Sequence, residues 1–474
     1  MLYLLKLVLI ADILSHVYGE QITNESETCE ELLDEELKEE IASYGPTRDK
    51  ILKYVLEGEF KGRTFKELTK FINKFGGRLT GTENLENSID YMINLTIKED
   101  IHNITAETLK VPQWTRGKEE ITMLKPRVKN MALIGLGNSV ATPKDGITAE
   151  VVVVDSFEEL EKVDAKGKIV VFNVHFTTYS ETVKYRFEAA TRAAGKGALA
   201  SLVRSVTMFS IYSPHAGMQK YGNETKIPTA AITLEDANLL KRLYTAGEKI
   251  VINLKMLSKL DYNTSRNTLV DIIGRENPEK IVIVSGHIDS WDNGEGAMDD
   301  GGGLMISWAV PVILKKMNLE PRRTIRTIFW TAEEQQYVGA EAYEKKHRHE
   351  EKNINFALES DDGTFAPRGL QMLGTQKARC IVAEVLKLFK VINASTLIDT
   401  YVSATDINVF LERGVPGAGL LNDNGKYYWY HHTAGDTMDL MDEKSLDLCT
   451  AFWAAVSYII ADLSVDIPRN DTTS

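Results

Sequence analysis

Residues 281–303 read IVIVSGHIDSWDNGEGAMDDGGG, and the fold follows from how this stretch is built. Its first four side chains are all β-branched, which suits a strand buried on both faces rather than one with a wet side. Polar chemistry arrives only where the strand stops: His287, then Asp289, then a glycine-rich loop ending in Asp299-Asp300-Gly301-Gly302-Gly303. An apolar helical pattern follows over 302–316. The same grammar repeats around it. Strands are expected at 268–273, 280–285, 324–330, 355–358 and 417–421, with helices at 302–316, 338–347, 376–388, 406–413 and 443–463. Apolar strands alternating with helices predict an α/β domain with a mostly parallel mixed sheet flanked by helices. Ligands of such sheets sit beyond the carboxyl ends of the strands.

The residues found at those ends share one chemistry. The strand over 324–330 runs into Glu333-Glu334, and that over 355–358 into Asp361-Asp362. Late in the chain YYWYHHTAGDT, residues 427–437, supplies His431, His432 and Asp436. Zinc takes imidazole and carboxylate ligands where thiolate is absent. Two zinc ions about 3.5–4 Å apart need a shared carboxylate and further ligands. Two histidines and three carboxylates meet that need, and one more carboxylate off the metals can act as base. Singly, each residue has a blander reading: a helix cap for an aspartate, surface charge for a Glu-Glu pair, a core histidine for His432. The adjacent His431 leaves the choice of histidine open on the residues alone. His347 and His349, in KKHRHEE, read as a solvated helix end.

The motifs GHIDSWDNGEGAMDDGGG (286–303), WTAEEQ (330–335), ESDDGTF (359–365) and HHTAGDTM (431–438) resemble the ligand motifs of the co-catalytic zinc aminopeptidase and glutamate carboxypeptidase family. The resemblance spans roughly residues 30–465, and RAAGKGALASLVRSV (192–206) with FSIYSPHAG (209–217) is similar to a protease-associated insert. It implies a zinc exopeptidase fold of the phosphorylase/hydrolase-like kind, with an inserted protease-associated domain. It further implies two Zn(2+) per chain held by His287, Asp299, Glu334, Asp361 and His432, with Asp299 as the bridge. Glu333 corresponds to the general base, and Asp289 to the partner that orients His287 and fixes its tautomer. The implied reaction is metal-assisted hydrolysis of short peptides, especially dipeptides with free termini. Aminopeptidases of the same family use the same ligands, so the ligand set does not decide which end of the peptide is read. A receptor-like ectodomain on this fold would be expected to have lost ligands or base, and all six positions are present. The paired Glu333-Glu334 with a full ligand set also argues against a single-zinc, glutaminyl-cyclase-like acyltransferase. The resemblance suggests a homodimer.

The rest of the chain sets the context. Its 474 residues suggest two or three domains. Residues 45–122 and 261–470 are assigned to the peptidase domain and 123–260 to the insert, a strand-and-helix module without ligand pairs that is expected to shape substrate access. A net charge of -13 disfavours nucleic acid and anionic membranes as partners. An apolar run from Leu7 to Leu14 after Lys6 reads as a signal peptide over 1–19, leaving no membrane anchor after cleavage. Residues 28–44 alternate acidic and apolar positions at helical spacing, an exposed helix or, with 20–44, a removable pro-segment. Asn24, Asn94, Asn103, Asn223, Asn263, Asn393 and Asn470 begin glycosylation sequons. Secreted or lysosomal delivery through endoplasmic reticulum and Golgi is therefore expected. Of Cys29, Cys380 and Cys449, the latter two lie on apolar helical stretches and read as buried free thiols.

Overall fold

A computed structural model describes residues 28–400 and 405–469. The expected signal peptide and the sequons at Asn24 and Asn470 fall outside the described residues. One eight-stranded sheet is formed by β1 (Ile104–Thr115), β2 (Lys259–Ile272), β3 (Asn277–His287), β4 (Arg323–Trp330), β5 (Ile354–Glu359), β6 (Pro367–Leu373), β7 (Thr396–Ile398) and β8 (Gly417–Asn422). Their order is β1-β2-β4-β3-β5-β8-β6-β7. The central strands β4, β3, β5 and β8 are parallel; β1 and β2 on one side run antiparallel to their neighbours, and on the other side β6 is antiparallel to β8 but parallel to β7. The β-branched run of β3 explains this placement. Val282 and Val284 pack with helices Gly302–Met317 and Glu443–Asp462, while Ile281 and Ile283 pack with Ala340, Tyr343 and Phe410 on the opposite face. Helix Glu443–Asp462 is long and apolar enough to cross a bilayer, but 89% of its apolar stretch is buried inside the protein.

A second eight-stranded sheet lies between Glu119 and Met256, with helices Tyr179–Gly195 and Leu234–Thr245 against it. The pairing of Thr115 with Lys259 across β1 and β2 shows how it is inserted. The chain leaves and re-enters the first sheet side by side, so only 116–118 and 257–258 bridge the two sheets. The second sheet thus begins at Glu119 and ends at Met256, beside the divisions expected at 123 and 260. The sequence gives little hint of β1, an edge strand whose buried side chains are few and irregularly spaced; its conformation is fixed by the ladder with β2.

Several expectations are corrected. Residues 29–44 are not an exposed helix: Leu33, Leu37 and Ile41 are buried in the main core, and the Tyr44 hydroxyl donates to the Asp462 carbonyl (2.7 Å). Cys380 is not a free thiol. Helix Gln376–Lys387 brings it to Cys29, with the two Cα atoms 5.2 Å apart and a disulfide between them; Cys449 alone is free and buried. The helix expected at 406–413 is helical only over Asn408–Leu411. His347 is not solvated either. Its ring stacks on Tyr343 at 4.3 Å and its Nε2 lies 2.9 Å from Glu107 on β1, whereas His349 is exposed. The sequon asparagines at 94, 103, 223, 263 and 393 are all exposed.

Candidate metal centre

The centre forms where β3, β4, β5 and the loop after β8 deliver their terminal residues to one place. His287 ends β3. Its Nδ1–H donates to the Asp289 carbonyl (3.0 Å), which leaves the lone pair of the neutral ring on Nε2. That Nε2 lies 3.2 Å from Asp299 Oδ1 and 3.1 Å from Asp361 Oδ1. On the other side of Asp299, His432 Nε2 lies 3.2 Å from Asp299 Oδ2 and 3.1 Å from Glu334 Oε2. Donor atoms of a tetrahedral zinc with bonds near 2.0–2.1 Å sit about 3.3 Å apart. All five expected ligands are thus brought together as two three-donor sets that share one carboxylate.

Proximity alone would also admit His431 and Asp300 as ligands. Asp300 is engaged elsewhere, accepting from the His287 and Gly303 backbone N–H groups at 3.0 Å each. His431 Nε2 stands 3.5 Å from Asp299, and its ring lies stacked against His432 at 3.5 Å. Only His432 joins Asp299 to Glu334, which favours it.

The supporting structure is specific. The Asp436 carboxylate accepts from the backbone of Met298 (2.7 Å) and Asp299 (3.2 Å), fixing the bridge loop. Gly303 must be glycine, because a Cβ there would come within 1.9 Å of the Ser360 carbonyl. Asp289 meets the His287 ring through its backbone. Its carboxylate is 3.7 Å from Nδ1, beyond a hydrogen bond, and the residue holds the ring through its backbone carbonyl instead. The carboxylate accepts from the Glu333 and Glu334 backbone (3.1 and 3.3 Å) and from the Thr80 hydroxyl (2.8 Å), so it aims the Glu-Glu turn. That turn is strained, with Ala332, Gln336 and Tyr337 all at positive φ.

Sequence reading missed Arg78, Thr80, Tyr179, Arg186 and His215. Arg78 lies in FGGRLTG, a string that marks no function. Its fully buried guanidinium donates to the carbonyls of Ile288 (2.6 Å), Gly76 (2.8 Å), Glu295 (2.9 Å) and Gly296 (2.9 Å), clamping the loop between His287 and Asp299. The other missed residues, apart from Thr80, belong to the insert, where nothing in the sequence shows which side chains meet the peptidase sheet.

The electrostatics fit a site built for cations. Burial, only partly offset by His287 or His432, raises the carboxyls of Glu333, Glu334 and Asp361, and neighbouring carboxylates raise them further. Burial opposes ionisation of Asp299 as well, but the adjacent imidazoles of His287 and His432 overcome it and hold that carboxyl well below its usual range. The surrounding carboxylates in turn outweigh burial at His432 and push its imidazole up to about 9. Charged imidazoles here stand in for positive charge that the carboxylates require. Asp299 Oδ2 and Glu334 Oε1 are buried without a hydrogen-bond donor, the state expected of oxygens meant for metal. A cavity of about 480 Å³ opens on the centre. Asp299, Glu333, Glu334, Asp361 and His432 line it, together with Arg186 and Lys220 of the insert and the carboxylates of Glu341 and Asp362.

Comparison with known proteins points to peptidases. Residues 267–457 match the model of Peptidase family M28. Over 440 residues the chain is 47% identical to carboxypeptidase Q of Xenopus laevis, covering 92% of this chain and 93% of that one. The solved structure of a peptidase M28 precursor from Shewanella amazonensis SB2B is similar with a TM-score of 0.86 at 27% identity, covering 91% of this chain and 99% of that one. A zinc aminopeptidase from Bacillus subtilis shares the fold at a TM-score of 0.65 and 21% identity, covering 86% of this chain and 99% of that one.

Proposed function

The chain belongs to the carboxypeptidase Q family within peptidase family M28, and from that premise we propose a di-zinc exopeptidase that cleaves short peptides, dipeptides with free termini foremost. It is a zinc metallopeptidase. The observation that carries the di-zinc reading is the sharing of Asp299 between His287 with Asp361 and His432 with Glu334, at donor separations of 3.1–3.2 Å. His287, Asp361 and Asp299 would hold one ion, and His432, Glu334 and Asp299 the other.

When bound, the zinc ions supply Lewis acidity to the scissile carbonyl and to the attacking water. The protein's own part is to place a base. Glu333 lines the cavity beside Glu334, its backbone held by Asp289, and accepts the proton of the attacking water. It then returns that proton to the departing amine. Arg78 and Asp436 keep the bridge loop still through this exchange, and burial of the cluster excludes competing water.

Substrate size and charge follow from the cavity. Its volume suits a small peptide, and it offers both cations (Arg186, Lys220) and carboxylates (Glu341, Asp362). A free carboxylate and a free ammonium on one short substrate match that lining. Rates on free, N-acetylated and C-amidated dipeptides test this: both blocked forms are expected to lose at least about tenfold in kcat/KM. Full activity on the C-amidated form with loss on the N-acetylated form would instead make the enzyme an aminopeptidase.

The same proposal includes delivery through the secretory pathway, for a secreted or lysosomal enzyme. A disulfide between Cys29 and Cys380 and exposed sequon asparagines support it. It also includes a homodimer, to be tested by light scattering on the purified chain.

A further inference from the structure

The insert reaches into the centre. His431 and His432 follow β8 of the peptidase sheet, yet groups of the insert hold them. His215 Nδ1–H donates to the His431 carbonyl (2.7 Å), and the Ala216 N–H donates to the His432 carbonyl (2.8 Å). The Ala216 carbonyl accepts in return from His432 Nδ1–H (3.2 Å). Next to this arm, Tyr179 stacks on Tyr428 at 5.0 Å and Phe209 packs on Trp429 at 4.4 Å. The peptidase side adds Asn293 Nδ2, which donates to the His432 carbonyl (2.8 Å).

We infer that the His215–Ala216–Gly217 arm positions His432 for metal, so that docking of the insert and occupancy of one metal site are coupled. The inference rests on the reading of His432 as a zinc ligand. In the neutral ring that binds metal, the Ala216 carbonyl at 3.2 Å, closer to Nδ1 than the Arg186 guanidinium at 3.4 Å, favours the hydrogen of His432 on Nδ1 and the lone pair on Nε2. That lone pair faces Asp299 Oδ2 and Glu334 Oε2. Without the arm, the ring is free to carry its hydrogen on Nε2 and bond the carboxylates directly, closing the site to a metal.

The backbone argues the same way. His432 sits at φ 62°, which a residue other than glycine keeps only where its surroundings over-determine it. Its carbonyl receives one donor from the insert and one from the peptidase loop, which supplies that constraint. Gly217 lets the arm come close: it has φ 137°, and a Cβ there would fall 2.3 Å from Arg186 Cζ. The Arg186 guanidinium braces the arm by donating to the Ala216 carbonyl (3.4 Å) and the Tyr179 hydroxyl (3.0 Å). His215 is only 2% exposed and its Nε2 meets no partner, so the ring's hydrogen bond goes to His431.

The test is zinc affinity, measured on the full chain by competition with a chelator and metal counting. His215→Leu is expected to weaken one of the two ions by about 10–100-fold and to leave the other at its wild-type affinity. His215→Asn, which keeps an N–H near the position of Nδ1, is expected to restore that ion to within about threefold. A role in packing alone would lower the melting temperature of both variants and leave both zinc affinities unchanged, which overturns the inference. If His215→Leu does not fold, Gly217→Ala gives the same reading: selective weakening of one ion supports the coupling, and unchanged affinity for both refutes it. His432→Ala separates the two levels. Loss of one ion in His432→Ala, with none weakened in His215→Leu, defeats the coupling alone; two ions retained in His432→Ala defeats the ligand assignment and the coupling with it.

Discussion

Replacing Arg78 with methionine tests whether the bridge loop is held by one buried cation. The side chain is fully buried and donates to four backbone carbonyls, those of Gly76, Ile288, Glu295 and Gly296, at 2.6–2.9 Å. Burial pulls its pKa down to about 10, opposed by Asp436, Asp289, Asp300 and Asp299, so it remains charged at neutral pH. Methionine keeps most of the volume and removes every donor. Each buried acceptor left without a partner costs about 1–3 kcal/mol. Four such losses do not add, because they share one loop and water can enter it. Removing the cation also strips four buried aspartates of their counter-charge, a class of change that costs about 3–5 kcal/mol. The expected loss for Arg78→Met is therefore about 3–5 kcal/mol, a large share of a typical domain's stability. Arg78→Lys retains charge but lacks the planar fork, and should recover about half of it. Urea unfolding followed by tryptophan fluorescence, with the m-value checked against wild type, gives the number. A loss below about 1 kcal/mol for Arg78→Met would show that the clamp does not hold the loop.

Two other expectations concern parts far from the candidate metal centre. The Cys29–Cys380 bond closes a separation of 351 residues, so Cys29→Ser should cost up to about 5 kcal/mol in urea unfolding; proteolysis just after residue 44 should release the N-terminal piece on gels only when reductant is present. His347 is held above its ordinary pKa of 6.5 by its hydrogen bond to Glu107, burial notwithstanding. Its contribution is therefore complete below the unfolded value and lost as pH rises through the folded one. The stability gap between wild type and His347→Gln should be wider at about pH 5.5 than at about pH 8.5; an equal gap at both contradicts the pairing.

The sequence was legible where local pattern and tertiary role coincide. The run Ile281–Val284 is β-branched because both of its faces are covered, and His287 stands where that run ends, so strand and candidate ligand could be read together. Helices Gly302–Met317 and Glu443–Asp462 announce themselves by length and apolar character. Strand β1 was not legible, since its conformation comes from pairing with a segment about 150 residues away rather than from its own alternation. The same holds for the disulfide, which joins the first described helix to one near the end of the sheet. Within the site, the residues that face the shared carboxylate carry motif signals, while those that hold them in place do not. Arg78 works through backbone carbonyls and Ala216 through its own backbone, and backbone partners leave no side-chain pattern to read. Asp289 shows the intermediate case: its importance was visible, but whether it acts through carboxylate or carbonyl depends on a turn angle that sequence does not encode.

The most direct test counts metal and turnover on the same preparation of Glu333→Gln. A base that is not a ligand should leave two zinc ions per chain by elemental analysis while dipeptide hydrolysis falls by about 100- to 10,000-fold. One zinc per chain in the wild type, or a Glu333→Gln enzyme that keeps near-normal turnover with both ions bound, would contradict the division of six residues into five ligands and one base.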